Sequence, residues 1–552
     1  MKKLNKTCIA FFSILAAIFS NLSSEEEISL PDVTTVVSGN EVQVGKDALP
    51  DFSDIVSNEN TASSPLIQMP EFTENVQEEP KIQPVAPSLS EKDLFVEGKI
   101  GGGYPGFFTG NFSVYQQKKE NPFLLRFSHE SVAGYSDESA SDGYFDNETE
   151  VYGEKNFTLD DISWNFSGAY NRRSDGTQEQ SSNFYDVTKQ SVNGKASVAF
   201  YFSDNLMFLL EAGGGYYNRY GGLKNSASIE KFEKDAYILD FTPSVSAVWS
   251  FDKMEISLCA DYFQQNNIGD DEYLSATILD SQATFRSSVG ASFRWSYQPF
   301  TIYESVKAVF GNQLGDDRNI IIPFTVGADV QASPSFLSGP FVFSIKGGLD
   351  SYQQTYRELE KKYHFAVLGF FPEETTDWYV VSNLSLPVHE KIGIAGNLEY
   401  RKTALDNCWW AANYKTPLAS SLYSFAGYER EMLKSKAELT YHSGIFTAAA
   451  SWTKNWKDIP VLEAENAFAF TLAVQSEDSK YGADLSAAFE CGDESDTDPV
   501  LDLSGYVYAI KSLRIALEVQ DVVKLAAREK REYAGKFYSR GGTAAVLVKF
   551  FF

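Results

Sequence analysis

The chain has 552 residues, 75 acidic against 47 basic, and a formal charge of −28, so it lacks the basic surface that phosphate binding needs and nucleic acid is excluded as a partner. Aromatic residues make up 14%, with 38 glycines and a negative mean hydropathy; this suits a wall alternating between lipid and water better than a multidomain soluble enzyme. Only three of the four cysteines, Cys259, Cys408 and Cys491, lie beyond the first segment, and an odd, widely spaced set is no disulfide framework.

Lys2, Lys3 and Lys6 precede a short apolar run from Cys8 to Phe19, and small polar residues follow to Ser24. That order predicts a secretory signal peptide over residues 1–24, too short to anchor in a bilayer. Residues 25–93 carry 15 acidic and 3 basic residues, with Phe52 and Phe72 the only aromatics. Such a segment buries too little apolar surface to offset its ordering entropy, and a disordered acidic tail is expected. Three copies of one pattern sit inside it: Leu30-Pro31-Asp32-Val33, Leu49-Pro50-Asp51-Phe52 and Met69-Pro70-Glu71-Phe72, each followed by a hydroxyl residue. Proline fixes φ and favours an extended neighbour, so each copy is a partly preorganised short motif suited to capture by a partner protein in the periplasm.

From Leu94 the period changes to two. Tyr237, Leu239, Phe241, Val245, Ala247, Trp249 and Phe251 share one face, and Asp240, Thr242, Ser244 and Ser246 the other. Met254, Ile256 and Leu258 oppose Glu255, Ser257 and Asp261, while Phe285, Val289 and Trp295 oppose Arg286, Ser288 and Arg294. Runs of this length match the ~9–11 residues of a tilted transmembrane strand. Short links (Ser203-Asp204-Asn205, Phe251-Asp252-Lys253, Gln298-Pro299) alternate with longer polar ones at 134–147, 171–182, 220–230, 312–318 and 354–376. Aromatics at strand ends (Tyr216, Tyr217, Tyr220; Trp409, Trp410; Trp452, Trp456) read as interfacial girdles. The fold predicted for residues 94–552 is an all-β, transmembrane antiparallel barrel of roughly 22 strands in the bacterial outer membrane. An even count places both termini in the periplasm. Arg286, Arg294, Asp240, Glu255 and Asp261 become candidate pore-wall charges.

The last strand, Thr543 to Phe552, alternates with Ala544, Val546, Val548, Phe550 and Phe552 on one face. Its terminal aromatics, Phe550 and Phe552, read as the signal taken up by the outer-membrane insertion machinery. Leu513 to Asp521, then Tyr538-Ser539-Arg540-Gly541-Gly542 and the last strand, resemble the closing strand pair of TonB-dependent receptors. Gly98 to Tyr115 (GKIGGGYPGFFTGNFSVY) is similar to the opening strands of plugless relatives. Thr34-Thr35-Val36-Val37 is similar to the family's energy-coupling box, a segment recruited by strand addition. The resemblance implies a large outer-membrane receptor or transporter barrel. The family's folded plug is larger than the 69-residue tail here, so the resemblance is to a plugless relative.

No HExxH, CxxC or GxSxG element is present among the four histidines and the serines, so no catalytic, cofactor or metal site is expected. His442 and Ser443 are neighbours on a predicted strand, point to opposite faces and cannot form a nucleophile–base pair. Two function classes remain. One is a barrel for solute passage, porin-like or receptor-like, whose tail docks a partner. The other is a surface ligand-binding or scaffold barrel, with loops 134–147, 171–182 and 354–376 carrying the function and the tail linking the membrane to a periplasmic complex.

Overall fold

The computed structural model describes residues 94–116, 121–159, 161–224, 232–268, 283–315, 318–492 and 498–552. The expected signal peptide, the expected acidic tail and all three repeats lie outside the described residues. Twenty-two antiparallel strands form one sheet. The first, Leu94–Tyr104, pairs with the last, Thr543–Phe551, with Lys99 opposite Lys549, so the sheet closes on itself and no edge is left. Consecutive strands pair throughout, except where two hairpins are looped out. Ile392–Thr403 pairs with Glu431–Ser443 past the hairpin Trp409–Pro417/Tyr423–Tyr428. Leu513–Gln520 pairs with Thr543–Phe551 past the smaller hairpin Arg531–Ala534/Phe537–Ser539.

Alternation decides which side of the wall each residue faces. In the strand Phe232–Ser250, Phe241 and Val245 are exposed on the outside while Ile238 and Ser246 are buried on the inside. Phe285 and Val289 likewise stand out of the wall, and Thr284 and Ser288 are buried within. The exposed large apolar side chains thus form the outer surface expected of a lipid-facing barrel.

Both termini of the barrel lie at one end, where the Val96 and Phe552 backbones exchange hydrogen bonds of 2.8 and 3.0 Å. The short turns after Ser203, Phe251 and Gln298 are at this end. The long connections gather at the other end, although the first hairpin there closes through only Pro105-Gly106. Two expected loops are corrected. Residues 171–176 and 220–223 belong to strands, Ile162–Gly176 and Leu206–Leu223, and neighbouring Phe184–Ser203 runs for 20 residues. A bilayer needs only ~9–11, so these strands project past it on the long-loop side. Polar residues there read as loop, yet they are held in the sheet: Arg173 meets its register partner Glu148 on the next strand and Asp175 two residues along its own, each at 3.1 Å.

Candidate functional site at the long-loop end of the lumen

The connection between Phe341–Tyr352 and Thr375–His389 turns inward. Thr355 starts its short helix, Tyr356–Lys362, with a capping box: its hydroxyl accepts from the Glu358 backbone and the Glu358 carboxylate accepts from the Thr355 backbone. Beyond the helix, residues 363–371 pack with it into a core. Tyr356, Leu359, Tyr363, Phe365 and Leu368 are all 3% exposed or less. They lie against Val187, Tyr217 and Ile238, which face inward from three wall strands several places around the ring. The two looped-out hairpins complete this core with Trp409, Tyr423, Phe425 and Phe537, and the Phe365 and Phe537 rings stack at 4.0 Å. Ala366 bridges to Tyr423 in a parallel pair.

Polar contacts tie this cap to the wall. Glu360, fully buried, accepts from Arg219, from the Tyr217 hydroxyl and from the Leu368 backbone at 2.7 Å. Lys189 lies 3.7 Å from the same carboxylate and donates to the Glu360 and Ala366 carbonyls at 3.1 and 3.0 Å. Lys189 and Arg219 are register partners on adjacent strands. Two like charges placed side by side repel, and Glu360 offsets them. At the loop's far end Glu374, 1% exposed, accepts from Arg286 at 2.9 Å and from Ser351 at 2.6 Å. Arg401 meets Asp350 at 3.0 Å, Asp377 at 3.6 Å and Glu399, and Arg430 also holds Asp377. Gln178 exchanges two hydrogen bonds with the Tyr538 backbone, joining connections far apart in sequence. Loops rooted on separate arcs of the ring therefore form one packed layer on the inward side of the wall.

His364 sits in this layer, stacked on Tyr533 with ring centroids 5.5 Å apart. Burial, and then the neighbouring Arg173 and Lys189 against partial opposition from Asp175, push its imidazole down to about 3. It is neutral in the assembled cap.

The sequence-selected wall charges all face the lumen, but they do not form a single ladder. Arg286 is drawn to Glu374 of the cap. Arg294 is the register partner of both Glu255 and Tyr303, and stacks on the Tyr303 ring at 5.8 Å. Asp261 accepts from Ser288 at 3.0 Å and pairs with Lys307 at 3.4 Å. Asp240 folds over Gly215, its register partner, within electrostatic reach of Arg357 and Glu358 of the cap helix. Between these strands lies a concavity of about 300 Å³, bordered by the 2.8 Å Lys195–Glu211 pair, Asp261 and Arg286. Charges of both signs line it, which suits a polar solute. Phe550 lies on the lipid side over Gly98, its register partner, and its ring centroid is 5.8 Å from that of Phe552.

The residues that build the cap were missed from sequence. Glu360, Arg219, Lys189 and Tyr217 carry no motif, and Tyr217 and Trp409, expected in an interfacial girdle, are buried in the cap core instead. Trp452 and Trp456 do stay exposed, edge to face. The one available signal was Thr355-x-x-Glu358, a helix start inside a connection read as plain loop.

No family model matches the sequence, and no curated protein matches it. Solved structures do. The FrpB iron transporter from Neisseria meningitidis, in its apoprotein form, is 10% identical with a TM-score of 0.61, covering 84% of this chain and 81% of its own. The ferric enterobactin receptor PfeA from Pseudomonas aeruginosa, in a mutant form, is 8% identical with a TM-score of 0.60, covering 84% and 81%. The copper transporter OprC is 10% identical with a TM-score of 0.60, covering 83% and 80%. These likenesses are of fold, and at that level the resemblance to TonB-dependent receptors holds.

Proposed function

We propose that this chain is an outer-membrane barrel for solute passage, with a lumen gated on the outer side by its own loops. The observation that carries the reading is the inward-folded cap, locked to the wall through buried Glu360. A ring of 22 strands encloses a lumen wide enough to leak unless something fills or covers it. A barrel serving only as an inert anchor has no use for both a polar inner face and a lid. The neighbours in fold are named as an iron transporter, a ferric enterobactin receptor and a copper transporter, which supports uptake as the class. The membrane lipid is the partner of the outer face. Phe550 and Phe552 serve as the insertion signal, and the lumen-facing charges Arg294, Glu255, Asp261 and Asp240 stiffen the wall and bias which solutes pass.

The tail repeats at Leu30, Leu49 and Met69 hold a partner on the periplasmic side; three spaced copies of one motif support this. Retention of a periplasmic protein by the full chain, lost when Pro31, Pro50 and Pro70 are replaced by alanine, is the expected result. The rival reading, a surface-binding or scaffold barrel without transport, draws on the same cap, since its aromatic core is built as firmly as a binding platform. Flux separates the two. Proteoliposomes carrying the folded protein should pass small polar solutes once the cap is released, whereas a scaffold stays tight.

A further inference from the structure

On the inner wall beside the seam, three cations stand in one cross-strand row. Lys99 is opposite Lys549, and Lys549 is opposite Arg514, on adjacent strands. Side chains so paired sit ~5 Å apart and repel when alike. Two carboxylates answer them, Glu97 and Glu518, the latter 3.8 Å from Lys99, so the row keeps an excess positive charge. The Arg514 Nε is buried and has no hydrogen-bond partner. Aromatic rings flank the row: Arg514 lies 3.8 Å from the Tyr506 ring centroid, Tyr506 meets Tyr508 edge to face, Tyr508 stacks on Phe551, and Phe95 stacks on Tyr115 at 5.3 Å. This cationic, aromatic patch lies at the end of the barrel where residues 25–93 join the wall at Leu94.

We infer that the patch is the docking site of the chain's own acidic tail, with the third repeat, Met69-Pro70-Glu71-Phe72-Thr73-Glu74, as the segment seated there. Complementarity carries the assignment, because the tail has 15 acidic residues against 3 basic and only two aromatics, one of them Phe72. Phe72 packs on the Tyr508 and Phe551 rings while Glu71 and Glu74 face Lys99, Lys549 and Arg514. Reach is ample, since the residues between Phe72 and Leu94 can span ~70 Å when extended. The third repeat also closes the smallest loop of the three, so its local concentration at the patch is highest. Docking of the third repeat competes with its share in holding the partner proposed above, so the first two repeats hold that partner whenever the third is seated on the wall.

The test is disulfide trapping in the full chain, with Cys259, Cys408 and Cys491 replaced by serine and folding checked by heat-modifiable gel mobility. Thr73→Cys, which leaves Phe72, Glu71 and Glu74 in place, is combined with Asn111→Cys, the inward register partner of Lys99. The comparison is Thr73→Cys with Asn397→Cys, an inward residue on the strand Ile392–Thr403, far around the ring and within the same reach. The expected result is cross-linking at Asn111→Cys about tenfold faster than at Asn397→Cys, consistent with an effective concentration raised by docking. The preference should shrink at ~1 M salt, where the screening length falls to ~3 Å. It should also shrink with Lys549→Gln, which relieves repulsion in the row and so spares folding. Equal rates at the two positions, or a preference indifferent to both salt and Lys549→Gln, would overturn the assignment. None of these outcomes depends on whether the barrel passes solutes.

Discussion

Glu360 places its carboxyl group where no solvent reaches it, and its partners Arg219 and Lys189 would be left facing each other without it. Removing one member of such a buried set costs ~3–5 kcal/mol, mostly the penalty of the charges stranded behind. Glu360→Gln is therefore expected to loosen the cap while the barrel remains closed. Hydrogen exchange should rise across residues 353–374 and stay low in Leu94–Tyr104 and Thr543–Phe551; unchanged protection of the loop would mean that the apolar core alone holds it. At the seam the critical contact is steric. A Cβ on Gly98 would fall about 2.0 Å from the Phe550 ring, so the ring covers a position that only glycine can leave open, an aromatic over a glycine on the sheet surface. Gly98→Leu should displace Phe550 and lower the yield of folded, heat-modifiable barrel several-fold, while the same change at Gly110, which meets only the edge of Phe108 at 3.9 Å, should be tolerated.

The cap is the element whose stability depends on pH. The imidazole of His364 is held at about 3, below its ordinary ~6.5, so the open, solvated loop binds a proton more readily than the assembled one. The stabilisation is complete above pH ~6.5 and is lost progressively as pH falls toward 3. Exchange or limited proteolysis at residues 353–374 should therefore accelerate below pH ~6, and His364→Gln should remove that dependence without opening the cap at neutral pH. These contacts also mark the boundary of what could be read from sequence. The wall strands were legible because each residue's face follows from its own position in an alternating run, as with Phe241 and Asp240. The cap was not, because Tyr217 meets Glu360 across 143 residues and Gln178 meets Tyr538 across 360, with no periodicity to announce them. Arg173 misled in the same way, since a polar residue that pairs across strands, here with Glu148, looks like a loop when its partner is unknown.

For the molecule as a whole, two seams define the architecture. One closes the sheet, with the first strand on the last, and its opening and closing sequences were legible as a resemblance. The other closes the mouth, where loops from separate arcs of the ring lock into one layer, and only the fold reveals it. The acidic tail and its repeats join the first seam in chain order, at the end away from the cap. In the function proposed above, control comes from both sides of the membrane: a solute arriving outside acts on the cap, and a partner inside acts on the tail.

Conductance across a planar bilayer tests the central claim, that the loop layer gates the lumen. The intact chain should be silent or nearly so, and replacing residues 356–371 by a short Gly-Ser link should produce large, steady channels, with and without residues 25–93. An intact chain that already conducts as an open pore, or a folded link variant that stays silent in both forms, would contradict it.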